Sequence, residues 1–202
     1  VISDFARIRV YDMETPEAPP RVVTLANLAE ELDRLDFLVN PKVESIRRQE
    51  EALSIRAGEL IGKVYDLLLP NYIDPTSAET LRYLNMLCVR IVFCLYADDA
   101  GLFGKRGFFF RYFEPLIKMP EIFRLELIRL FRVLNTPHDE RDPYERAFAK
   151  LPYVNGGLFD IASAEAYAWQ VPMFSPEAIH ALMIDASEGF DWSGISPTIF
   201  GA

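Results

Sequence analysis

Adjacent carboxylates at Asp98 and Asp99 end a strongly helical stretch, where they meet the partial negative charge of a helix C-terminus. Two such groups could ligate a metal or move a proton. The plainer reading, which the sequence favours, is that Lys105, Arg106 or Arg90 neutralises them as ion pairs. A second segment, Leu151-Pro152-Tyr153-Val154-Asn155-Gly156-Gly157-Leu158-Phe159, sets adjacent glycines between large apolar residues and so permits unusual backbone angles and close approach. Glycine pairs can cradle phosphate. Here, though, there is no G-x-G-x-x-G, no Gly-Lys-Ser/Thr and no strand-loop-helix context. The expectation is a tight turn against another domain, with Tyr153, Asn155, Gly156 and Gly157 in the contact. Lys105, Arg106 and Arg111, interleaved with Phe108, Phe109 and Phe110, are the residues that could touch DNA through phosphate contacts and stacking. Against this, three consecutive phenylalanines usually belong to a core. Arg7 and Arg9 on the opening strand are a second set of the same standing. His138 and His180 stand apart from any Ser, Cys or acidic arrangement that would suggest a triad or a zinc site. Trp169 and Trp192 read as core or interface packing.

Composition narrows the classes. The chain has 202 residues, 50% hydrophobic and 25% charged, which is enough for one domain with a sizeable core. Its net charge of -9 disfavours a free-standing phosphate-binding module, because that binding rests on Lys and Arg displacing counterions. Any DNA contact must be local. Cys88 and Cys94 are six positions apart on one helix, on different faces and about 9 Å apart along the axis. They are expected to be free thiols in a reducing, cytoplasmic setting. The chain opens without a basic leader, and its most apolar run, Leu81 to Ala97, contains Arg82, Asn85 and Arg90. It reads as a buried central helix and not as a membrane span. Both ends are expected to be cuts through a longer polypeptide.

These residues must be positioned mainly by helices. Alternation from Phe5 to Asp12 predicts one strand, with its sheet partners expected before Val1. Thr15 to Pro20 reads as linker. Thr24 is expected to cap a short helix over Leu25 to Leu35. A long amphipathic helix follows Pro41 to about Leu69, with Ile46, Leu53, Ala57, Leu60, Ile61, Val64, Leu67 and Leu68 on one stripe. The next helix starts near Pro75, Thr76 or Ser77 and stops at Gly101; Leu81, Leu84, Leu87, Cys88, Ile91, Val92 and Leu95 are expected at the centre of the core. Further helices are predicted over Phe108 to Ile117, Glu121 to Leu134 and Tyr144 to Leu151, after Ser175-Pro176-Glu177, and at Ser196-Pro197. The fold class is mainly α, an irregular multi-helix bundle with one N-terminal strand left over from a preceding sheet.

Four segments together resemble the MmeI-like restriction-modification family: Val1 to Phe5 with Arg9 to Asp12, Phe93 to Phe103, Leu151 to Phe159, and Ile195 to Gly201. The resemblance implies a terminal nuclease strand over residues 1–14, a linker over 15–23, a helical spacer over 24–195 and the start of a methyltransferase region over 196–202. It also implies a D...E-x-K nuclease upstream and, downstream, an S-adenosylmethionine loop and an Asn-Pro-Pro-Tyr-type motif, none of which occurs in residues 1–202. No cofactor is therefore expected here, while S-adenosylmethionine, Mg and DNA are expected for the parent protein. The implied partners are the flanking nuclease and methyltransferase domains, with no membrane. The implied function is a non-catalytic spacer of a type II restriction endonuclease and adenine-N6 DNA methyltransferase. A self-contained helical interaction module, binding through the exposed faces of residues 41–69, is the alternative. An enzyme using Asp98, Asp99 and the Gly156-Gly157 loop would need a cleft joining them.

Overall fold

The computed structural model describes residues 2–4, 6–11, 19–31, 35, 42–154, 156–160 and 169–195, with the backbone alone for 42–49. Two compact units divide the chain, Val1–Gln49 and Glu50–Ala202. In the first, β1 (Ile2–Ser3), β2 (Arg7–Val10) and β3 (Arg21–Thr24) form an antiparallel sheet in sequence order. The register pairs Ile2 with Arg9 on one side of β2 and Ile8 with Val23 on the other. Alternation along β2 is as expected, but its partners lie inside the chain and not before Val1. β1, with two residues, is too short to show a period, and β3 reads Arg-Val-Val-Thr without a clean alternation. The turn into β2 is made by the Asp4 carboxylate, which accepts the N–H groups of Ala6 and Arg7 at 3.1 and 2.7 Å. Val23 is fully buried on the inner face.

Among the described residues the helix expected over Leu25 to Leu35 is not formed; a 3₁₀ turn, Leu25–Asn27, stands at its start and turns follow it to Glu30. Thr24 is extended and its side chain makes no cap, because it closes β3 opposite Arg7 while the Leu25 N–H bonds Ala6 O at 2.9 Å. Sheet pairing has taken the backbone that a helix would need. Most of the linker stretch and residues 32–34 lie outside the described residues.

Helix α1 (Lys42–Leu68) carries the predicted stripe, with Ala57, Leu60, Val64 and Leu68 buried and the chain turned by Pro70. Helix α2 (Ala78–Asp99) starts at Ser77, whose hydroxyl accepts the Thr80 N–H at 3.0 Å. It ends before Gly101, where φ is +77°. Length and composition alone would let α2 cross a bilayer, but half of its most apolar window is buried inside the protein. Leu84, Leu87, Ile91 and Cys94 are fully covered, whereas Leu81, placed by sequence in the core, is 37% exposed. Helices α3 (Phe108–Phe113) and α4 (Pro120–Leu134) follow, α3 being shorter than predicted because Pro115 turns the chain into 3₁₀ geometry.

The predicted helix over Tyr144 to Leu151 is also absent; the segment is a chain of turns. Side chains have replaced the helical bonds: the Arg141 guanidinium takes the Ala149 and Leu151 carbonyls, and the Glu145 carboxylate takes the Phe148 N–H. Helix α5 (Pro176–His180) begins on Ser175 as predicted, then widens into a π-helix over Ala181–Glu188. Trp192, 1% exposed, donates its indole N–H to Ala186 O at 2.8 Å, using a carbonyl in that widened turn. The predicted helix at Ser196 lies outside the described residues.

Candidate functional site

The two carboxylates ending α2 have separate structural duties. Asp98, 4% exposed, accepts the N–H groups of Phe108 at 2.8 Å and Phe109 at 3.0 Å, both in the first turn of α3. Gly107 precedes that turn and has no side chain to cap it, so a carboxylate from the neighbouring helix does so. Burial holds the Asp98 carboxyl above its ordinary value, although both N–H groups pull the other way. Asp99 accepts the Trp192 N–H at 2.7 Å and lies 3.4 Å from Arg106 Nε. Arg106 reaches Asp191 as well, at 2.6 Å. The sequence expectation that a nearby cation answers this acidic pair holds for Asp99 and Arg106. Arg106 is 56% exposed, so solvent screens both pairs and they add little to stability.

Lys105, Arg106 and Arg111 do come together. Arg111 donates to the carbonyl oxygens of Arg106 and Lys105 at 2.8 and 3.2 Å, which folds the loop around Gly107. A Cβ on Gly107, where φ is +77°, would stand 2.8 Å from Arg111 Nη1. Phe109 and Phe113 are fully buried, and Phe108 and Phe110 are half-buried against the same core. A hollow of about 400 Å³ beside the loop is lined by Asp99, Glu188 and Asp191 together with Arg106 and Arg111, so its charge is mixed. Gly156 and Gly157 do not line it.

The second site is the segment around Gly156-Gly157. Gly156 has φ +116° and Gly157 φ +78°, and both are exposed. Tyr153 is 40% exposed, while Asn155 lies outside the described residues. Two arginines hold the flanks. Arg141 donates to Thr136, Ala149, Leu151 and Pro152 carbonyls at 3.0, 2.8, 2.7 and 3.3 Å. Arg90, 3% exposed in mid-α2, donates to Leu158 O at 2.8 Å, Asp160 O at 3.5 Å and the Gln170 side chain at 3.1 Å. Between them the Val154 N–H bonds Leu134 O at 2.8 Å, and Phe159 packs between Phe93 and Phe131. Sequence reading missed both clamps. Arg90 had a signal, being a cation in the middle of an apolar helix; Arg141 had none.

The remaining side chains are accounted for by packing or exposure. His138 and His180 are exposed, Trp192 is buried and Trp169 is 62% exposed. Burial pushes the Cys88 thiol up to about 12 and the Cys94 thiol higher still, so neither is a ready nucleophile. Among the described residues, no three His, Cys, Asp or Glu side chains gather to hold a metal ion.

Comparison with known proteins gives one consistent set. Residues 1–70 match the family described as "MmeI, N-terminal domain", and residues 82–159 the one described as "MmeI, helicase spacer domain". DNA methyltransferase A of Bacillus subtilis (strain 168) is 29% identical over 206 residues, covering 100% of this chain and 21% of that protein. A solved structure of the Type IIL restriction-modification enzyme MmeI in complex with DNA is similar at a TM-score of 0.55 and 32% identity. It covers 73% of this chain and 18% of that one. The chain thus spans about a fifth of the length of these relatives. With its two parts matched in order to consecutive domains of one kind of protein, the chain belongs to the MmeI-like family, of which it holds the stretch from the N-terminal domain into the helicase spacer.

Proposed function

We propose that this chain is the non-catalytic spacer of a longer DNA restriction-modification protein, fixing a nuclease domain on one side relative to an adenine-N6 methyltransferase domain on the other. The observation that carries the reading is the match of residues 82–159 to a spacer domain directly after a match to the N-terminal domain of the same kind of protein. The likeness to a DNA methyltransferase and to a restriction-modification enzyme seen with DNA supports the same parent activity. Physically, the spacer suits the role because α2 and α4 share one continuous core with the segments after them, so forces on one face reach the other without rearrangement. In this reading S-adenosylmethionine and Mg act in the flanking domains, and the protein works in the cytosol.

The test is made on the longer polypeptide. A ten-residue Gly/Ser insertion after Asn40, ahead of α1, leaves that helix whole, changes no residue assigned to catalysis and loosens what precedes it from the spacer core. Methylation is expected to continue while cleavage loses its fixed distance from the recognition site or falls at least about tenfold, the loss typical of a misplaced catalytic geometry. Cleavage at the wild-type position and rate would reject the spacer role.

DNA contact is a subordinate part of the proposal and rests on the loop holding Lys105, Arg106 and Arg111. Arg106 and Arg111 are engaged internally, whereas Lys105 is exposed and has no ion pair among the described residues. Lys105→Ala is expected to weaken duplex binding and to lower the slope of log K against log salt by about 1, as loss of one phosphate contact does. Fluorescence anisotropy at two salt concentrations reads this directly. An unchanged slope would remove Lys105 from the DNA contact.

A further inference from the structure

We propose that Tyr153, Gly156 and Gly157 form a pre-shaped docking surface for another polypeptide segment, kept in that shape by Arg90 and Arg141 as positioning residues. The proposal deepens the spacer reading and rests on it only for where the partner lies, namely in another domain of the same longer chain.

Three observations carry it. First, the segment is pinned on both sides of its tip. Arg141 holds the carbonyls of residues 149, 151 and 152, the Leu134 carbonyl holds Val154, and Arg90 holds the carbonyls of 158 and 160. One planar guanidinium meeting several carbonyls fixes orientation as well as position. Second, among the described residues nothing inside the protein crowds the tip. A Cβ built on Gly156 or Gly157 meets no atom within 4 Å, so internal crowding is not what places glycine there. The left-handed backbone does require it, φ being +116° and +78°. A bend that only glycine makes readily, pinned at both flanks and open outward, has its shape fixed before any contact is made. Third, the charge is wrong for nucleic acid. From Leu151 to Asp160 the sole charged residue is Asp160, and both arginines spend their donors on internal acceptors. Exposed glycine backbone beside a half-exposed tyrosine suits a neutral polypeptide surface that approaches closely and exchanges main-chain hydrogen bonds.

The experiment places the photo-crosslinking amino acid p-benzoylphenylalanine at position 153 of the longer polypeptide bound to duplex DNA, and maps the crosslinked peptides by mass spectrometry. The expected result is a crosslink to a peptide of the same polypeptide outside residues 1–202. Arg141→Lys keeps the charge but supplies a point donor in place of the planar fork. It is expected to cut the crosslink yield several-fold and raise amide exchange at residues 149–154, with exchange in α2 unchanged. A crosslink confined to residues 1–202, one made to DNA, or none at all would overturn the docking surface. An undiminished yield in Arg141→Lys would overturn the clamp. Failure here combined with scattered cleavage in the Gly/Ser insertion variant discards the docking surface and keeps the spacer.

Discussion

Replacing Leu87 with Asp is expected to abolish the cooperative thermal transition of the spacer or lower its Tm by roughly 10–20 °C. Leu87 is fully buried in α2, at the heart of the continuous core. The substitution removes about 2–3 kcal/mol of apolar burial. It also forces a carboxyl into a site with no designed partner, which costs several kcal/mol whether the group stays ionised or takes up a proton. The sum exceeds about 5 kcal/mol, against a total stability of about 5–15 kcal/mol for an ordinary domain. Leu87→Met keeps the volume and is expected to stay within about 1.5 kcal/mol of wild type. Circular-dichroism melts decide the matter, and a wild-type transition in Leu87→Asp would mean that α2 is not the centre of the core. Under the spacer proposal the same variant loses methylation and cleavage together in the longer polypeptide, although no catalytic group is touched.

The second large effect belongs to Asp98. Asp98→Ala leaves the N–H groups of Phe108 and Phe109 without their acceptor and uncaps α3. The expected cost is about 3 kcal/mol, combining a lost cap with buried donors left unpaired. Asp98→Asn retains one acceptor oxygen and should fall between the two. Their pH dependence separates a buried carboxylate from a neutral cap. Because burial raises the Asp98 carboxyl in the folded state, the stability linked to its proton is fully present below the unfolded value and is lost as pH rises through the folded one. The stability gap between wild type and Asp98→Asn therefore widens as pH is lowered through that window. Asp185, held low by Lys63, and Asp191, held low by Ser193 and Arg106, act oppositely but equally in both proteins. Urea unfolding at a series of pH values measures the gap. A gap that narrows on acidification would show that the carboxyl is not raised.

How much of the site could be read in advance varied with how local its causes were. Asp98 and Asp99 drew attention because they break the helix-dipole rule, and that signal was sound. What resolves the conflict is remote: for Asp98 the first turn of α3, ten residues on, and for Asp99 the backbone of Trp192. The same contrast runs through the arginines. Arg106 as the partner of Asp99 was within reach of sequence spacing, whereas Arg141 gathers four carbonyls across a segment that helical periodicity had assigned to a helix.

The sequence by itself determined the mainly α character, the long apolar stripe of α1, the Ser77 and Ser175 helix starts and the Gly101 stop. These follow from interactions between residues three or four apart, which any stretch of chain carries within itself. Tertiary structure alone decided that Thr24 ends a strand instead of capping a helix, that residues 144–151 are turns, and that the Gly156-Gly157 segment is clamped by Arg90 and Arg141. In each of these the deciding hydrogen bond joins groups that no short-range period brings together: Leu25 to Ala6, Arg141 to Leu151, Arg90 to Leu158. A buried backbone group takes whichever partner the assembled fold presents, and local propensity yields when that partner comes from elsewhere in the chain.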